Sequence, residues 1–377
     1  MTTNAQLLFN QIPKGEPTPE TFKYNTENKI DLEQKLDNGA HIVKIICVSL
    51  DPYMRGRMRP AEVKSYSPAF ELHKPLTGHG VGVVIRAAAD SQYKVGDHVY
   101  GMVPYQQFVL IPGQQKVDEE SKKFLGPQVG LRVIKNEEGL PWSAYIGAAG
   151  MPGKTAFMAW KEIADAKKGE VAFISAGSGP VGQMAIQLAK ADGLKVISSA
   201  GSDEKVAFLK ELGADVAFNC KLQSTSHKTD DAKKIFAEHG PIDVNWVNVG
   251  GKSFEEELEF MNMHGRLIGG WISAYNGESY GVRNLFQFVA KRLMMRGFIV
   301  GDFEASLAVL QQNINAKYVD DFYATIPKKL AFGDLKFKEC KYDGLESAPK
   351  AFLEMLAGKQ SGGFGKVFIQ VAADDSH

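Results

Sequence analysis

The stretch Val171–Lys205, VAFISAGSGPVGQMAIQLAKADGLKVISSAGSDEK, decides the fold of this 377-residue chain. Its apolar start, Val171–Ile174, is typical of a strand buried on both faces. After a glycine-rich turn, apolar residues recur every three or four positions, which predicts one buried helical stripe: Val181, Met184, Ala185, Leu188 and Ala189. A second strand is predicted at Lys195–Ala200. This order of strand, glycine turn, helix and strand is typical of the first half of a dinucleotide-binding unit.

The turn between the first strand and the helix reads GSGPVG, residues 177–182. Glycines here permit a tight turn, close approach of the backbone to a pyrophosphate, and close packing of the helix on the strand. We therefore expect the pyrophosphate to lie against Gly177, Gly179, Pro180, Val181 and Gly182. The alternative is an ordinary glycine-rich turn, but the flanking strand and helix are those that the binding motif requires.

The residues that follow the second strand predict the type of cofactor. An NAD site places a carboxylate there, roughly 20 residues past the glycines, to accept hydrogen bonds from the ribose. This chain has Gly201 and Ser202 instead, followed by Lys205, whereas Asp203 and Glu204 suit the first turn of a helix. Small residues and a cation accommodate the 2'-phosphate of NADP(H), which we expect as the cofactor. The alternative is that Lys205 is an ordinary solvated lysine.

The composition is that of an ordinary globular protein, with 44% apolar residues, 23% charged residues and a formal net charge of zero. The chain has no basic stripe and no apolar run of spanning length, so we expect neither nucleic acid nor membrane as a partner. Cys47, Cys220 and Cys340 lie far apart and predict neither a disulfide framework nor a metal site. The first residues lack the pattern of a secretory signal, so we expect a cytoplasmic protein, and a nuclear presence is compatible with the sequence.

The first part of the chain has a different pattern. Short β-rich runs separated by Gly, Pro, Asp and Asn predict a compact barrel-like β domain. Between two of these runs lies the segment LDPYMRGRM, residues 50–58. Asp-Pro favours a turn, and Tyr53, Met54 and two arginines follow it closely. This segment is either the wall of a substrate pocket or a purely structural turn.

Residues 147–155, GAAGMPGKT, nearly match a P-loop, with Ala148 in place of its first glycine. A P-loop needs a strand directly before it, and Pro152 removes one backbone N–H that would contact phosphate. We therefore favour a linker into the nucleotide-binding domain over an ATP site. In that interpretation the turn at Pro152 and Gly153 lies along the cofactor.

Alternating strands and helices continue downstream of Lys205. Polar or aromatic residues follow the predicted strands that begin near Asp243, Arg266 and Met295. Because strand ends that point the same way meet at the ligand-binding edge of a parallel sheet, Asn248, Tyr275 and the backbone at 298–300 are candidate site groups. A helix at 348–356 and a strand at 366–371 are predicted to return to the first domain.

Seven segments occur in the same order as in one branch of the medium-chain dehydrogenase/reductases: LDPYMRGRM, GMPGKTAF, AGSDEKVAFLKELGADVAFN, VNVGG, GGWISAYN, KRLMMRGFIVGDF and GLESAPKAFLEMLAGK. Over nearly all its length the chain resembles the zinc-independent, NADP-dependent alkenal/enone double-bond reductases, which include leukotriene and prostaglandin reductases. LDPYMRGRM and GSDEK are specific to that branch, whereas the glycine turn is shared more widely.

The resemblance implies an α/β fold. Residues 148–326 would form a Rossmann domain with a doubly wound parallel sheet, and both chain ends, residues 1–147 and 327–377, a GroES-like β-barrel domain. It implies a homodimer without a metal, in which NADPH donates hydride to the β-carbon of an α,β-unsaturated aldehyde or ketone. Tyr53 and Met54 are implied at the substrate. Beyond the glycine turn and Lys205, cofactor contacts are implied for Pro152, Gly153, Asn248, Gly269, Tyr275, Phe298, Ile299 and Val300.

The chain departs from this family at three positions. Cys220 stands where members often have a tyrosine near the adenosine phosphate, and Gly363 replaces a common asparagine within a small insertion. His79 lies where some relatives carry a substrate-facing tyrosine, so we include it among the substrate residues. We expect substrate range to be the property that differs most.

Reduction of a conjugated C=C bond needs stabilisation of the enolate oxygen that develops on the substrate. The phenol of Tyr275 is neutral at pH 7 and suits this role, alone or with the ribose hydroxyl of the cofactor, and Tyr53 is the reserve donor. The alternative is that Tyr275 packs against the ribose and solvent supplies the proton. Two other functions stay open: an NADPH quinone oxidoreductase of the same superfamily, and a non-catalytic NADPH-binding protein.

Overall fold

The computed structural model describes residues 1–113, 131–221, 228–270, 280–304 and 317–374. The chain divides into two compact units. The first unit comprises Met1–Met151 and Glu339–His377 with Glu304–Ala316, and the second comprises Pro152–Phe303 and Lys317–Lys338. No helix of the described part is both long enough and apolar enough to cross a lipid bilayer.

The secondary structure of the described residues comprises strands, α-helices and short 3₁₀ helices. The strands are β1 (Thr2–Thr3), β2 (Gln6–Phe9), β3 (Phe22–Asn25), β4 (Lys29–Ile30), β5 (His41–Ser49), β6 (Thr77–Ala87), β7 (His98–Pro104), β8 (Phe108–Ile111), β9 (Arg132–Val133), β10 (Val171–Ile174), β11 (Lys195–Ala200), β12 (Val216–Asn219), β13 (Ile242–Val247), β14 (Met261–Gly269), β15 (Met294–Gly297), β16 (Glu339–Asp343) and β17 (Lys366–Gln370). The α-helices are α1 (Met54–Arg57), α2 (Met151–Ala159), α3 (Pro180–Ala191), α4 (Asp203–Glu211), α5 (Lys228–His239), α6 (Gly251–Glu259), α7 (Phe286–Lys291), α8 (Gly301–Glu304), α9 (Lys317–Ala331) and α10 (Ala348–Ala357). A π-helical turn extends α2, and short 3₁₀ helices lie at Pro19–Thr21, Trp142–Ile146 and Leu345–Ser347.

The second unit is built on a parallel sheet. Its described strands follow the order β12-β11-β10-β13-β14-β15, and every neighbouring pair is parallel. The chain order reverses between β10 and β13, which is the switch point where an open α/β sheet binds its ligand. An apolar cluster that includes Phe173, Ile197, Val247 and Leu267 packs within this unit. These features confirm the Rossmann fold predicted from the glycine turn and its flanking strands.

The first unit contains a mainly antiparallel sheet whose described strands follow the order β16-β17-β5-β6-β7-β9, with β8 also paired to β5. Strand β17, near the end of the chain, pairs antiparallel with β5 near its start, Ile369 lying opposite Val48. Both chain ends therefore build one sheet, as expected for the GroES-like part of the fold. Leu7, Ile45 and Phe352, from three separate stretches of sequence, share its core.

The predicted and observed element bounds differ most in two places. Strand β14 begins at Met261 rather than at Arg266. In the neighbouring strand β13, Ile242 pairs with Met261 and Val244 pairs with Arg266, and this shift in register lets β14 include residues 262–265. The predicted domain boundary at 326/327 falls inside α9, and residues 317–338 belong to the second unit. The apolar face of α9, with Phe322 and Ile326 buried, explains why this helix stays with that unit.

Candidate cofactor and substrate sites

The glycine turn between β10 and α3 is packed so closely that two of its glycines have no room for a side chain. A Cβ on Gly177 would lie 2.1 Å from Ser198 Oγ, and a Cβ on Gly182 would lie 2.6 Å from the Gly177 Cα. The preceding residue, Ala176, has φ +49°, a conformation uncommon for residues other than glycine. Gly177 and Gly182 therefore allow the helix and the strand to approach each other closely.

Gly179 plays a different role in the same turn. A Cβ there would meet a single atom within 4 Å, the Ala176 carbonyl oxygen at 3.4 Å. Gly179 is the N-cap of α3, and Pro180 fills the first helical position, where no backbone donor is lost. The N-terminus of α3 thus presents its backbone N–H groups and positive dipole end beside uncrowded space. This arrangement fits the pyrophosphate of a dinucleotide.

Gln183 fixes the turn from inside the helix, a role that the sequence did not reveal. Its Nε2 donates to the Ser178 carbonyl at 2.7 Å, and its Oε1 accepts from the Lys338 backbone N–H at 2.9 Å. The side chain is buried. A glutamine on the apolar side of a predicted helix was the one available signal, since such a residue must find hydrogen-bond partners.

The residues expected at the 2'-phosphate follow β11. Ser202 caps α4 and accepts a hydrogen bond from the Lys205 backbone N–H at 3.4 Å. Asp203 and Glu204 lie in the first turn of this helix, as predicted. The side chain of Lys221, which the sequence analysis did not single out, lies directly over Gly201, its Cε 3.0 Å from an ideal Cβ position.

A hydrogen-bonded network joins the ends of β10 and β13. Asn248 donates from Nδ2 to the Ser175 carbonyl at 2.7 Å and accepts from Trp246 Nε1 at 2.9 Å. Its backbone N–H donates to Ser175 Oγ at 2.8 Å. Asn248 therefore lies at the predicted strand end, and its amide also ties the two central strands together at the switch point.

The other predicted cofactor residues of the second unit lie at the ends of β14 and β15. Gly269 pairs with Gly297, and the next residue, Gly270, donates to the Val247 carbonyl at 2.8 Å. Phe298 packs edge-on against Trp246, with ring centroids 6.2 Å apart, and the Ile299 side chain is exposed. Val300 precedes α8. Tyr275, the predicted catalytic donor, lies outside the described residues.

Pro152 and Gly153 lie in the first turn of α2 rather than in an extended turn, and both are buried. The element before α2 is the 3₁₀ helix Trp142–Ile146, so a strand does not lead into this segment as a P-loop requires. Lys154, the P-loop lysine by position, is buried, with its ammonium 5.8 Å from the centroid of the Tyr323 ring. The local structure differs from the predicted turn because the apolar residues after Pro152 extend the helix back to Met151.

The segment LDPYMRGRM of the first unit forms a turn and the short helix α1. Met54 is fully buried, with its Sδ 3.6 Å from the Tyr105 hydroxyl. Tyr53 is half-buried, and its phenol interacts electrostatically with the Arg57 guanidinium. Both residues lie together as predicted, although Met54 is a core residue of the unit in this structure. His79 lies in β6, stacked on Tyr100 with centroids 5.6 Å apart.

The arginines of this segment bind backbone carbonyls. Arg57 is buried and donates to the carbonyls of Pro68, at 2.9 Å, and Thr77, at 2.6 Å. Arg55 donates to the Gly15 carbonyl at 2.5 Å, and Arg59, which directly follows the segment, donates to that of Gly56 at 2.7 Å. These contacts show that much of the charge in the segment holds the surrounding loops in place.

A buried ion pair lies directly before Tyr53. Lys366 Nζ contacts Asp51 Oδ1 at 2.5 Å and the Leu50 carbonyl at 2.9 Å, and Ser49 Oγ donates to the other Asp51 oxygen. Burial lowers the pKa of Lys366, and the Asp51 carboxylate opposes that shift. Nearby, burial raises the pKa of Glu339 to about 7 although Ser143 donates to it. This cluster anchors the turn that carries Tyr53.

The three cysteines are free thiols, and Cys220 alone is exposed. Burial raises the pKa of Cys47, and partial desolvation of the sulfur raises that of the exposed Cys220 against the opposing effect of Lys221 and Lys205. Among the described residues there is no group of three or more His, Cys, Asp or Glu side chains placed to hold a metal ion.

Comparison with known proteins identifies the family to which this chain belongs. A family model described as the N-terminal domain of oxidoreductase matches residues 5–118, and one described as zinc-binding dehydrogenase matches residues 180–314. The NADP-dependent oxidoreductase RED1 of Cochliobolus heterostrophus is 38% identical, with 99% of each chain covered. The chain belongs to the medium-chain dehydrogenase/reductase family. The resemblance inferred from the sequence is thereby confirmed.

Two further relatives of this medium-chain dehydrogenase/reductase bear on the cofactor. The 2-alkenal reductase (NADP(+)-dependent) of Nicotiana tabacum is 34% identical over 99% of this chain and 98% of that protein. The crystal structure of CurA from Vibrio vulnificus in complex with NADPH is 28% identical, with a TM-score of 0.80 over 98% of this chain and all of that one. Together with the open N-terminus of α3 and the cations after β11, these findings establish an NADP(H)-dependent oxidoreductase.

Proposed function

We propose that this protein reduces the C=C bond of α,β-unsaturated aldehydes and ketones with NADPH. The observation that carries the proposal is full-length similarity to an NADP-dependent 2-alkenal reductase, combined with a glycine turn and helix N-terminus that fit the dinucleotide. In this proposal the second unit binds the cofactor, and the first unit supplies the substrate residues Tyr53, Met54 and His79.

The bound cofactor would supply hydride to the substrate's β-carbon. The pyrophosphate would lie against Gly179 and the N-terminus of α3, while Gly177 and Gly182 keep the backbone close. Asn248 holds the ends of β10 and β13 together, and we assign the neighbouring backbone at 269 and 298–300 to the ribose and nicotinamide. This rigid edge would orient the donor face, which is the main contribution a protein makes to hydride transfer.

The substrate oxygen needs a hydrogen-bond donor as negative charge develops on it. We assign this role to Tyr275, with Tyr53 as the second candidate. Arg57 is a buried cation that interacts electrostatically with the Tyr53 phenol, and a neighbouring positive charge makes that phenol a stronger hydrogen-bond donor. Positioned donation of this kind contributes roughly 10²–10⁴ in rate.

The proposal is tested by incubating the purified protein with NADPH deuterated at the transferred position and a 2-alkenal. We expect NADPH oxidation and a saturated aldehyde with deuterium on the β-carbon. An allylic alcohol as the main product would contradict the proposal. A quinone offered as the sole acceptor separates the quinone oxidoreductase alternative, and NADPH binding without turnover on either acceptor would indicate a binding protein.

We also propose a homodimer formed through α7 and β15. The exposed apolar side chains there include Phe286 at 75% and Val289 at 70%, together with Leu285 and Met294. Strand β15 is the terminal strand in the order of the described sheet, and a two-fold pairing would extend that sheet and cover this face. We expect a dimer by light scattering for the native protein and a monomer for Phe286→Glu combined with Val289→Glu. A native monomer would contradict the proposal.

For location we propose the cytoplasm, because an exposed free thiol at Cys220 suits a reducing compartment. Cell fractionation with an antibody to the protein tests this. Recovery in a secreted or organelle fraction would contradict it.

A further inference from the structure

The turn that follows β11 and the turn that follows β12 meet at the same edge of the parallel sheet. Ala200, the last residue of β11, pairs with Asn219, the last residue of β12. One residue further on, the Cys220 backbone N–H donates to the Ala200 carbonyl at 2.9 Å. The segments 201–205 and 220–221 therefore leave the sheet side by side, at the edge where a parallel sheet binds its ligand.

Lys221 reaches across this junction onto Gly201. An ideal Cβ on Gly201 would lie 3.0 Å from Lys221 Cε, 3.2 Å from Cδ and 3.5 Å from Nζ. The lysine side chain thus fills the space above a residue that has no side chain. Its ammonium lies beside the backbone of the position where an NAD-specific site would carry a carboxylate.

The backbone around Lys221 is held in place by a short chain of hydrogen bonds. The Lys221 N–H donates to Asn219 Oδ1 at 3.0 Å, and Asn219 Nδ2 donates to Asp203 Oδ1 at 2.9 Å. This chain links the turn to the first turn of α4 and engages an Asp203 oxygen on Asn219. One oxygen of the Asp203 carboxylate is therefore held on Asn219 rather than left facing the place where an anion would bind.

Lys205 and Lys221 act on the same neighbour. Both ammonium groups favour the thiolate of Cys220 electrostatically, although burial raises the pKa of that thiol overall. The thiol thus lies within the field of both cations. Ser202 caps α4 close by, and the N-terminus of a nine-residue helix adds positive potential. Lys221 over Gly201, the electrostatic influence of Lys205 on Cys220 and the helix N-terminus at Ser202 all favour an anion at this junction.

We propose that Lys221 is a second cationic ligand of the 2'-phosphate of NADP(H), acting as a pair with Lys205. A phosphomonoester carries close to two negative charges at neutral pH, so two lysines match it better than one. Lys221 then determines the preference for NADP(H) over NAD(H), and Gly201 is needed so that this side chain can lie across the strand end. The inference rests on the cofactor and is independent of the acceptor substrate.

Direct binding tests the pair without turnover. The dissociation constants of NADPH and NADH are measured by fluorescence titration for the native protein, Lys221→Met and Lys205→Met. A charge-assisted hydrogen bond contributes about 1.5–3 kcal/mol, so we expect each variant to bind NADPH roughly 10-fold to 100-fold more weakly. NADH affinity should stay within about twofold. Lys221→Arg should retain most of the NADPH affinity.

Two controls separate a ligand from a structural lysine. Lys210→Met changes an exposed lysine at the other end of α4 and should leave both affinities unchanged. The dependence of NADPH affinity on salt should weaken in Lys221→Met and stay native in Lys210→Met. Equal loss of NADPH and NADH affinity in Lys221→Met, or no loss at all, would overturn the proposal.

Cys220 offers a second readout in the native protein. It is the exposed thiol, whereas Cys47 and Cys340 are buried, so a maleimide reports on it selectively. We expect NADP⁺ at saturation to slow its labelling more than NAD⁺ at saturation, because only NADP⁺ would place a phosphate between the two lysines. Equal protection by both nucleotides would contradict the proposed position of the phosphate.

Discussion

The glycine turn of the second unit and the LDPYMRGRM segment of the first unit both look functional in sequence, yet their residues act differently. The glycine turn depends on residues without a side chain, because a Cβ at 177 or 182 would collide with its surroundings. In the other segment the conspicuous side chains are largely structural, since Arg55 and Arg57 bind carbonyls and Met54 is buried. In this protein, a motif that requires close backbone packing therefore predicts a binding site better than a cluster of reactive side chains does.

The largest expected effect concerns the ion pair beneath the LDPYMRGRM segment. Lys366→Met removes the cation but leaves Asp51 buried, which should lower the free energy of unfolding by about 3–5 kcal/mol in a urea titration. Lys341→Met is the matched control, because that lysine contacts Asp343 at 2.8 Å on an exposed face of the neighbouring strand. The control should cost less than about 1 kcal/mol. Similar losses in both variants would show that the buried pair does not anchor this unit.

The glycine turn gives the next largest effect. In Gly182→Ala the new Cβ would lie 2.7 Å from the Ala176 carbonyl oxygen, which cannot move without reshaping the turn. We expect a loss of about 1–3 kcal/mol in stability, with weaker NADPH binding. Gly179→Ala should be milder in stability because its Cβ meets one atom at 3.4 Å. If the two variants lose the same stability, close packing is not what the glycine at 182 provides.

A buried glutamate in the second unit should make stability depend on pH. Burial raises the pKa of Glu257 to about 7, although Asn245 Nδ2 donates to its Oε2 at 2.8 Å. The folded state therefore holds a proton that the unfolded state has already released, so the free energy of unfolding should fall as the pH rises from about 4.5 to 7 and level off above. We expect about 1–3 kcal/mol from this group. Glu257→Gln should flatten the profile, whereas the exposed Glu211→Gln should leave its slope unchanged.

The smallest effect tests whether the LDPYMRGRM segment takes part in catalysis as well as in structure. Tyr53→Phe removes the hydroxyl that interacts electrostatically with Arg57, and we expect kcat to fall about tenfold with little change in NADPH affinity. Tyr24→Phe, at an exposed tyrosine of the same unit, is the control. Turnover as fast as that of the native protein would assign Tyr53 a packing role.

The sequence predicted those parts of the molecule in which local pattern and tertiary structure agree. Strands β10 and β11 have the predicted bounds because each is a short, largely buried run followed by glycine or a polar residue. The cofactor type followed from a missing carboxylate and a lysine. Lys221 was not found because its role depends on a neighbouring strand that brings it onto Gly201.

Other features could not be read from the chain because they depend on partners distant in sequence. The pairing of Asp51 with Lys366 joins residues more than 300 positions apart. The extent of β14 depends on a register shift, and the bounds of the second unit depend on where α9 packs. Gln183 was overlooked because its role is defined by Ser178 and by the backbone at 338.

The pairing of β17 with β5 also bears on how the protein emerges from the ribosome. Every described strand of the second unit has been translated before residue 339 appears, whereas the sheet of the first unit must wait for the last few dozen residues. A nascent chain stalled near residue 340 would therefore hold a complete Rossmann sheet beside a half-built partner with an exposed edge at β5. For this protein, one edge of β5, an early strand, is among the last to reach its final pairing.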